Sequence, residues 1–206
     1  LLSQLSATYL PTALQLFNKM ATEICEGQQY DVDFEAKDNV AIEEYLLMIR
    51  LKTAVLLATA LKMGAYIAGA EEEAQNALYQ FGIHIGLAFQ IQDDILDVWG
   101  NPATFGKAIG GDISCNKKTF VTITAMNMAD EASKKELQYW FGQTLEDNTE
   151  KIAKVKAIYD RDMAIRNFTP ETYYAPVSKE ETKGYPVELV SKKKFSKEEK
   201  EKAQAL

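Results

Sequence analysis

The most constraining feature of this chain is an apolar helical pattern that ends in a cluster of carboxylates, within residues 81–118. Three aspartates, Asp93, Asp94 and Asp97, follow a run of apolar residues. Because positions three and four apart share a helix face, these aspartates and Gln90 form one polar stripe on an otherwise apolar helix. A Gly-rich loop that carries lysines follows the stripe.

The carboxylate stripe is electrostatically unfavourable by itself. Gly100 and Pro102 are expected to end the helix, so the acids lie at the negative end of its dipole, where each loses about 0.3–1 kcal/mol. No Lys or Arg between residues 63 and 106 neutralises them. Hard cations such as Mg²⁺ bind carboxylate oxygens and share them with waters and phosphates. The sequence therefore favours Mg²⁺ at these three aspartates over the alternative, a solvated acidic helix end.

Composition excludes several classes of function. A net charge of −7 and a pI near 4.9 argue against a nucleic-acid surface. The longest apolar stretch, residues 53–61, is bounded by Lys52 and Lys62 and is shorter than the ~20 residues of a membrane span. Cys25 and Cys115 lack metal-ligand spacing, and no secretory signal pattern is present. We therefore expect a cytoplasmic protein with free thiols.

Apolar residues recur at helical spacing along most of the chain, which predicts an all-α fold. The helices are expected at Pro11 to about Gly27, Ile42–Ala70, Glu71–Trp99, Lys118 to about Asn127, Glu131–Thr144 and Thr149–Asn167, with a loop over Asn101–Asn116. The domain is expected to cover residues 1–169, and residues 170–206 to form a charged tail. Gly82 and Gly86 indicate close helix packing or a bend, and His84 is expected to be a hydrogen-bonded core residue.

Four further polar residues stand out near the apolar helices. Lys52 and Thr53 lie where a buried ammonium would be costly, so Lys52 either reaches water or faces an anion such as a diphosphate. Lys107 and Lys117 lie in the loop after the acidic cluster and could close over it as a lid.

Gln28 and Asp31 continue the apolar face of the first helix at its C-terminal edge. Ordinary hydrogen bonding at a helix end explains them as well as a functional role does.

Five segments, in this order along the chain, resemble the trans-type polyprenyl (isoprenyl) diphosphate synthases. They are Gly27–Asp31, the Lys52-Thr53 pair, Phe89–Asp97 (Phe-Gln-Ile-Gln-Asp-Asp-Ile-Leu-Asp), Thr104–Lys107 and Asn116–Phe120. The third of them matches the second aspartate-rich motif of that family without a gap. The resemblance covers roughly residues 14–167.

The resemblance implies an isoprenoid-synthase-like helical bundle around a central cavity, usually a homodimer. It also implies a Mg²⁺-dependent condensation of isopentenyl diphosphate with an allylic diphosphate, by ionisation, condensation and elimination. The implied roles are metal binding by Asp93, Asp94 and Asp97, diphosphate contact by Lys52, Lys107 and Lys117, a lining of Thr53 and Gln90 where positive charge develops, and an inner wall that includes Gln28 and Asp31.

The match to the family is partial. Asp93-Asp94 is the only Asp-Asp pair in the chain, so the first aspartate-rich motif and the N-terminal helices of the family would precede Leu1. The length of the product therefore cannot be predicted from this sequence. Val121 also stands where the family usually has a proline. The favoured hypothesis is a prenyltransferase without its N-terminal third. The alternatives are a non-catalytic subunit that pairs with a complete enzyme, and a class I terpene cyclase or another α-helical Mg²⁺-binding protein.

Overall fold

A computed structural model describes residues 2–101, 106 and 108–162, and all regular elements in these ranges are helical. A 3₁₀ turn at Leu2–Gln4 precedes α1 (Leu10–Glu35), α2 (Ile42–Ile49), a π-helical segment (Arg50–Ala54), α3 (Val55–Ile67), α4 (Glu72–Trp99), α5 (Gly111–Ser114), α6 (Phe120–Met128), α7 (Glu131–Phe141) and α8 (Thr149–Asp162). The predicted all-α class is confirmed. The predicted boundary at residues 169 and 170 lies outside the described residues.

Helix α1 is longer than its sequence pattern indicates, since it continues past Gly27 to Glu35. Its buried residues recur at a spacing of seven, from Met20 through Gly27 to Phe34. Phe34 packs into the core beside α2, and this tertiary contact stabilises the additional turns. Asp31 therefore lies inside a helix and not at its edge.

Helices α3 and α4 pack closely because two glycines of α4 carry no side chain. A Cβ atom on Gly82 would lie 2.4 Å from the Cα of Ala58, and one on Gly86 would lie 2.5 Å from the Cα of Ala54. Both contacts are with backbone atoms of the neighbouring helical segment. Close helix packing, one of the two expectations for these glycines, is confirmed.

The C-terminal part of the described chain has a core formed by the end of α4 with α6, α7 and α8. The apolar face of α8 is buried here, with Val155 and Tyr159 fully covered and Ile158 only 2% exposed. The hydroxyl of Tyr159 forms a 3.0 Å hydrogen bond with that of Thr122, and burial raises the pKa of the phenol.

Several apolar side chains remain exposed on α3 and α4. Leu56 of α3 is 50% exposed. On α4, four large apolar residues at helical spacing are all more than a third exposed, and we call them the α4 apolar stripe: Leu78, Phe81, Ile85 and Phe89. His84 is also exposed, contrary to the predicted core position, although its Nδ1 lies 2.8 Å from the carbonyl oxygen of Gln80.

Among the helices that the structure describes, none is both long and apolar enough to cross a membrane.

Candidate functional site

A polar pocket lies where α1, α2, the π-helical segment and the end of α4 meet the segment before α6. Its charged lining combines five carboxylates and three lysines: Asp31, Glu35, Asp93, Asp94, Asp112, Lys52, Lys117 and Lys118. Tyr45 and Gln90 add polar groups, and Met48 and Ile49 add apolar surface. The pocket therefore brings together acids and bases from widely separated parts of the sequence.

Lys52 faces this pocket from the π-helical segment. Its Nζ lies 2.5 Å from Oδ2 of Asp31, and the two side chains are 34% and 26% exposed. Gly27 makes the approach of α1 possible, because a Cβ there would lie only 2.3 Å from the backbone nitrogen of Lys52. Single turns of π-helix are frequent at functional sites. Because Lys52 is both partly exposed and paired with Asp31, the two readings of this residue stay open.

Asp94 is the centre of a buried hydrogen-bond network. The Tyr45 hydroxyl donates to its Oδ2 at 2.5 Å, the Phe120 amide donates to the same oxygen at 2.9 Å, and Gln90 donates to Oδ1 at 3.3 Å. The Thr53 hydroxyl in turn donates to Oε1 of Gln90 at 3.2 Å. Burial raises the pKa of Asp94 to about 6, although the hydrogen bonds from Tyr45, Phe120 and Gln90 oppose the rise.

Asp97 binds the loop that follows α4. Its Oδ2 accepts a 3.1 Å hydrogen bond from the Asp112 amide, and its own carbonyl accepts a 2.7 Å bond from the Gly110 amide. Burial raises the pKa of Asp97, whose side chain does not line the pocket. The carboxylate therefore fixes the start of the segment that carries Lys117.

Lys117 is held beside the acidic lining. Its Nζ lies 3.1 Å from Oδ1 of Asp112. Burial alone would lower the pKa of Lys117, but the charge of Asp112 and the hydrogen bond to it raise the pKa overall. The side chain therefore remains a cation at the edge of the pocket.

The predicted site residues divide into three groups. Asp31, Lys52, Gln90, Asp93, Asp94 and Lys117 line the one pocket, and Thr53 reaches it through its hydrogen bond to Gln90. Asp97 and Gln28 do not line it, and Gln28 is exposed on α1. Lys107 lies outside the described residues, so its role as part of a lid stays a prediction.

The three aspartates of the motif do not converge as ligands of one ion. No group of three or more His, Cys, Asp or Glu side chains in the described ranges is arranged to hold a metal. Asp94 and Asp97 accept hydrogen bonds from the protein, and Asp93 and Asp94 line the pocket together with Asp31 and Asp112. Mg²⁺ is usually held by one or two carboxylates together with phosphate oxygens. This donor set fits an Mg²⁺ ion that is shared with a phosphate ligand.

Sequence reasoning missed several residues of the pocket, among them Tyr45 and Asp112. Tyr45 lies seven positions before Lys52, a spacing that places both on one helix face, and this was the available signal. Asp112 follows the Gly110-Gly111 pair, and its pairing with Lys117 five positions later had no sequence signal.

Replacement of Tyr45 by phenylalanine tests the buried network around Asp94. The variant loses the hydroxyl that donates to a carboxylate only 4% exposed. We expect the free energy of unfolding to fall by about 2 kcal/mol, the usual loss for a hydrogen bond to a charged group. Urea unfolding followed by circular dichroism measures the change. Tyr139→Phe is the control, since Tyr139 is 59% exposed and its loss should stay within about 0.5 kcal/mol. Equal effects of the two substitutions would contradict this role of Tyr45.

A family model and several known proteins match this chain over most of its described residues. The family model described as "Polyprenyl synthetase" matches residues 1–161. The chain is 43% identical over 143 residues to a geranylfarnesyl diphosphate synthase of Natronomonas pharaonis, covering 66% of this chain and 42% of that protein. It is 44% identical over 124 residues to a short chain isoprenyl diphosphate synthase of Methanocaldococcus jannaschii, covering 60% and 38%.

Solved structures give the same result. A geranylgeranyl pyrophosphate synthase superposes with a TM-score of 0.73 at 42% identity, covering 78% of this chain and 50% of that chain. A geranylgeranyl pyrophosphate synthase from Corynebacterium glutamicum, complexed with isoprenyl diphosphate and magnesium, superposes with a TM-score of 0.70 at 33% identity, covering 77% and 45%. The chain spans about two fifths of the length of the curated relatives that it matches.

Proposed function

This chain belongs to the polyprenyl synthetase family, and we propose that it acts as a trans-prenyltransferase, which condenses isopentenyl diphosphate with an allylic diphosphate and releases diphosphate. The observation that supports this function best is the pocket itself. Two lysines from distant segments, Lys52 and Lys117, line it together with Asp93 and the Gln90 amide. Cations for a leaving diphosphate and neutral dipoles for the remaining carbon skeleton therefore occur side by side.

The proposed reaction begins when the bond between the allylic carbon and the diphosphate oxygen breaks. The diphosphate leaves with the electron pair, and Lys52 and Lys117 stabilise its developing charge. Lys107 is proposed to join them. Mg²⁺, held by Asp93 with the substrate phosphates, would supply additional electrophilic stabilisation when bound.

The allylic cation that remains needs oriented dipoles and protection from water. Thr53 and Gln90 are connected by a hydrogen bond and reach Asp94, so their oxygen atoms are held in fixed orientations. The double bond of isopentenyl diphosphate then attacks the allylic carbon, and a new carbon–carbon bond forms. Loss of a proton to the released diphosphate completes the elimination. This step needs no dedicated side-chain base.

The test is an assay of the purified chain with Mg²⁺, labelled isopentenyl diphosphate and allylic diphosphates of increasing length. Mg²⁺-dependent products that are longer than the allylic substrate would support the proposal and give the product length. A folded protein that binds Mg²⁺ and diphosphate without forming product would favour the non-catalytic alternative. Absence of both binding and product would contradict a diphosphate site.

We also propose that the chain forms a homodimer, the state that its resemblance to the polyprenyl diphosphate synthases implies.

Light scattering after size-exclusion chromatography of the purified chain tests this proposal. We expect a mass of twice that of one 23.1 kDa chain, and a mass of one chain would contradict the homodimer.

A cytoplasmic location is part of the proposal. Cys25 and Cys115 are both free and exposed. Exposed free thiols are typical of reducing compartments. Cell fractionation with a specific antibody measures the location, and recovery of the protein outside the cytoplasm would contradict it.

A further inference from the structure

Lys151 is a buried cation that the proposed reaction does not use. The side chain is completely inaccessible to solvent. Its Nζ donates to Oδ1 of Asn116 at 2.5 Å and to the carbonyl oxygen of Gln143 at 3.0 Å. Burial lowers the pKa of this amine, and the nearby charge of Lys118 lowers it further. Burial of an ammonium beside neutral oxygens costs free energy that an apolar side chain would not cost. The presence of a lysine at this position therefore indicates a role for its amine.

The acceptor of this hydrogen bond, Asn116, has an unusual backbone conformation. Its φ is 57°, and no other non-glycine residue in the described ranges has a positive φ. The left-handed conformation costs an ordinary residue roughly 1–2 kcal/mol, so surrounding contacts must stabilise it. The amide of Asn116 is held at both ends, because its Nδ2 also donates to the Gln143 carbonyl at 3.1 Å. Lys151, Asn116 and Gln143 thus form a closed triangle of hydrogen bonds.

The turn at Asn116 directly precedes residues of the pocket. Lys117, the next residue, lines the pocket and pairs with Asp112. Four residues after Asn116, the Phe120 amide donates to Asp94. A change in the backbone angles of Asn116 would therefore move Lys117 relative to the carboxylates of the pocket, because the hydrogen bond from the Phe120 amide to Asp94 anchors the chain after Lys117.

From these contacts we propose that Lys151 is a positioning residue, which fixes the left-handed turn at Asn116 and so holds Lys117 in the pocket. This inference rests on the proposed function in one respect, that Lys117 contacts the diphosphate. The effect of Lys151 is indirect, since the hydrogen bonds of its amine go to Asn116 and Gln143, neither of which lines the pocket. Loss of its amine should weaken diphosphate binding without removing a group that contacts the ligand.

The first test measures the position of Lys117 without any ligand. Lys151→Met keeps an unbranched stem of similar shape and removes the amine. We expect the rate of Lys117 acetylation, followed by mass spectrometry of the full chain after digestion, to rise severalfold as the pair with Asp112 loosens. Lys154→Met, an exposed residue of the same helix, is the matched control and should leave the rate unchanged. An unchanged Lys117 rate in a folded Lys151→Met protein would overturn the proposal.

A second variant keeps the proposal testable if Lys151→Met does not fold. Asn116→Gly allows the positive φ without steric cost but removes the acceptor for Lys151. It should raise the acetylation rate of Lys117 by a similar factor. A rate equal to that of the unmodified sequence would overturn the proposal.

The third test is a double-mutant cycle on the binding of inorganic diphosphate in the presence of Mg²⁺, measured by calorimetry. Lys151→Met should weaken the affinity by about tenfold, and it should add little further loss in an Asn116→Gly background, because residues that act through one contact are not additive. Fully additive losses would overturn the proposal. Failure of the unmodified chain to bind diphosphate would contradict the proposed function, whereas the acetylation test of Lys151 would stand.

Discussion

Gly86→Ala is expected to lower the free energy of unfolding by about 3 kcal/mol, although it adds a single methyl group. The new Cβ would lie 2.5 Å from the Cα and 2.7 Å from the Cβ of Ala54. These atoms belong to the backbone and to the first side-chain atom of a packed helical segment, so no side-chain rotation relieves the clash. Helix α4 must move away from the π-helical segment instead. Denaturant unfolding followed by circular dichroism measures the loss.

Gly64→Ala is the matched control for this prediction. Gly64 lies inside α3, and a Cβ there would meet no atom within 4 Å. The same substitution should therefore stabilise the protein by about 0.5–1 kcal/mol, since alanine loses less backbone entropy in a helix than glycine does. Opposite signs at the two sites would show that the close approach of α4, and not helix propensity, requires Gly86. Losses of equal size would contradict the packing argument.

The packing at Gly86 also determines the geometry of the pocket. Ala54 ends the π-helical segment that carries Lys52 and Thr53. Thr53 donates its hydrogen bond to Gln90, which lies four residues after Gly86 on α4. A separation of the two helical segments would lengthen this bond first. The close helix contact is thus a structural requirement for the hydrogen-bond network around Asp94.

The sequence predicted the helical class and the start and end of α4 well, because both depend on local signals. Glu72 and Glu73 occupy the first turn of α4, and Gly100 follows its last residue, so the helix boundaries are encoded next to the helix itself. Several residues of the candidate site also stand out in the sequence. Several polar residues interrupt an apolar pattern there, and the cost of burying them indicates a function.

The partners of these polar residues could not be predicted. Lys52 and Asp31 are 21 residues apart, and no sequence pattern indicates that their side chains form a pair. Two of the hydrogen bonds of Asp94 come from α2 and from the start of α6, and no local pattern encodes such distant contacts. The π-helical segment was missed for the same reason, since it depends on packing against α1 and α4 and not on its own residues.

The exposed α4 apolar stripe shows a different limit of sequence reasoning. Helical periodicity shows that a face is apolar, but it does not show what covers the face. Ile83 and Phe81 have similar hydrophobic character, yet Ile83 is 5% exposed and Phe81 is 51% exposed. The difference arises because the neighbouring helices of the described chain cover only one side of α4.

The division of roles within the aspartate motif leads to the largest expected effect on function. Asp93→Asn should weaken Mg²⁺-dependent binding of inorganic diphosphate on the order of 100-fold, which corresponds to about 2.7 kcal/mol. The substitution removes the charge of a motif carboxylate that lines the pocket beside Asp31 and Asp112. Mg²⁺ binds an amide oxygen far less strongly than a carboxylate in such a shared site. Calorimetric titration of diphosphate at fixed Mg²⁺ measures the loss.

Glu73→Gln removes the same charge from the exposed first turn of α4 and is the control, with an expected change in affinity of less than about twofold. The binding of diphosphate in the absence of Mg²⁺ provides a second comparison. Asp93→Asn should leave that weak binding unchanged or strengthen it, because an acidic group repels the anion when no cation lies between them. A similar loss with and without Mg²⁺ would therefore show that Asp93 supports the shape of the pocket. A loss confined to the Mg²⁺ titration would identify Asp93 as the residue through which the motif holds the metal.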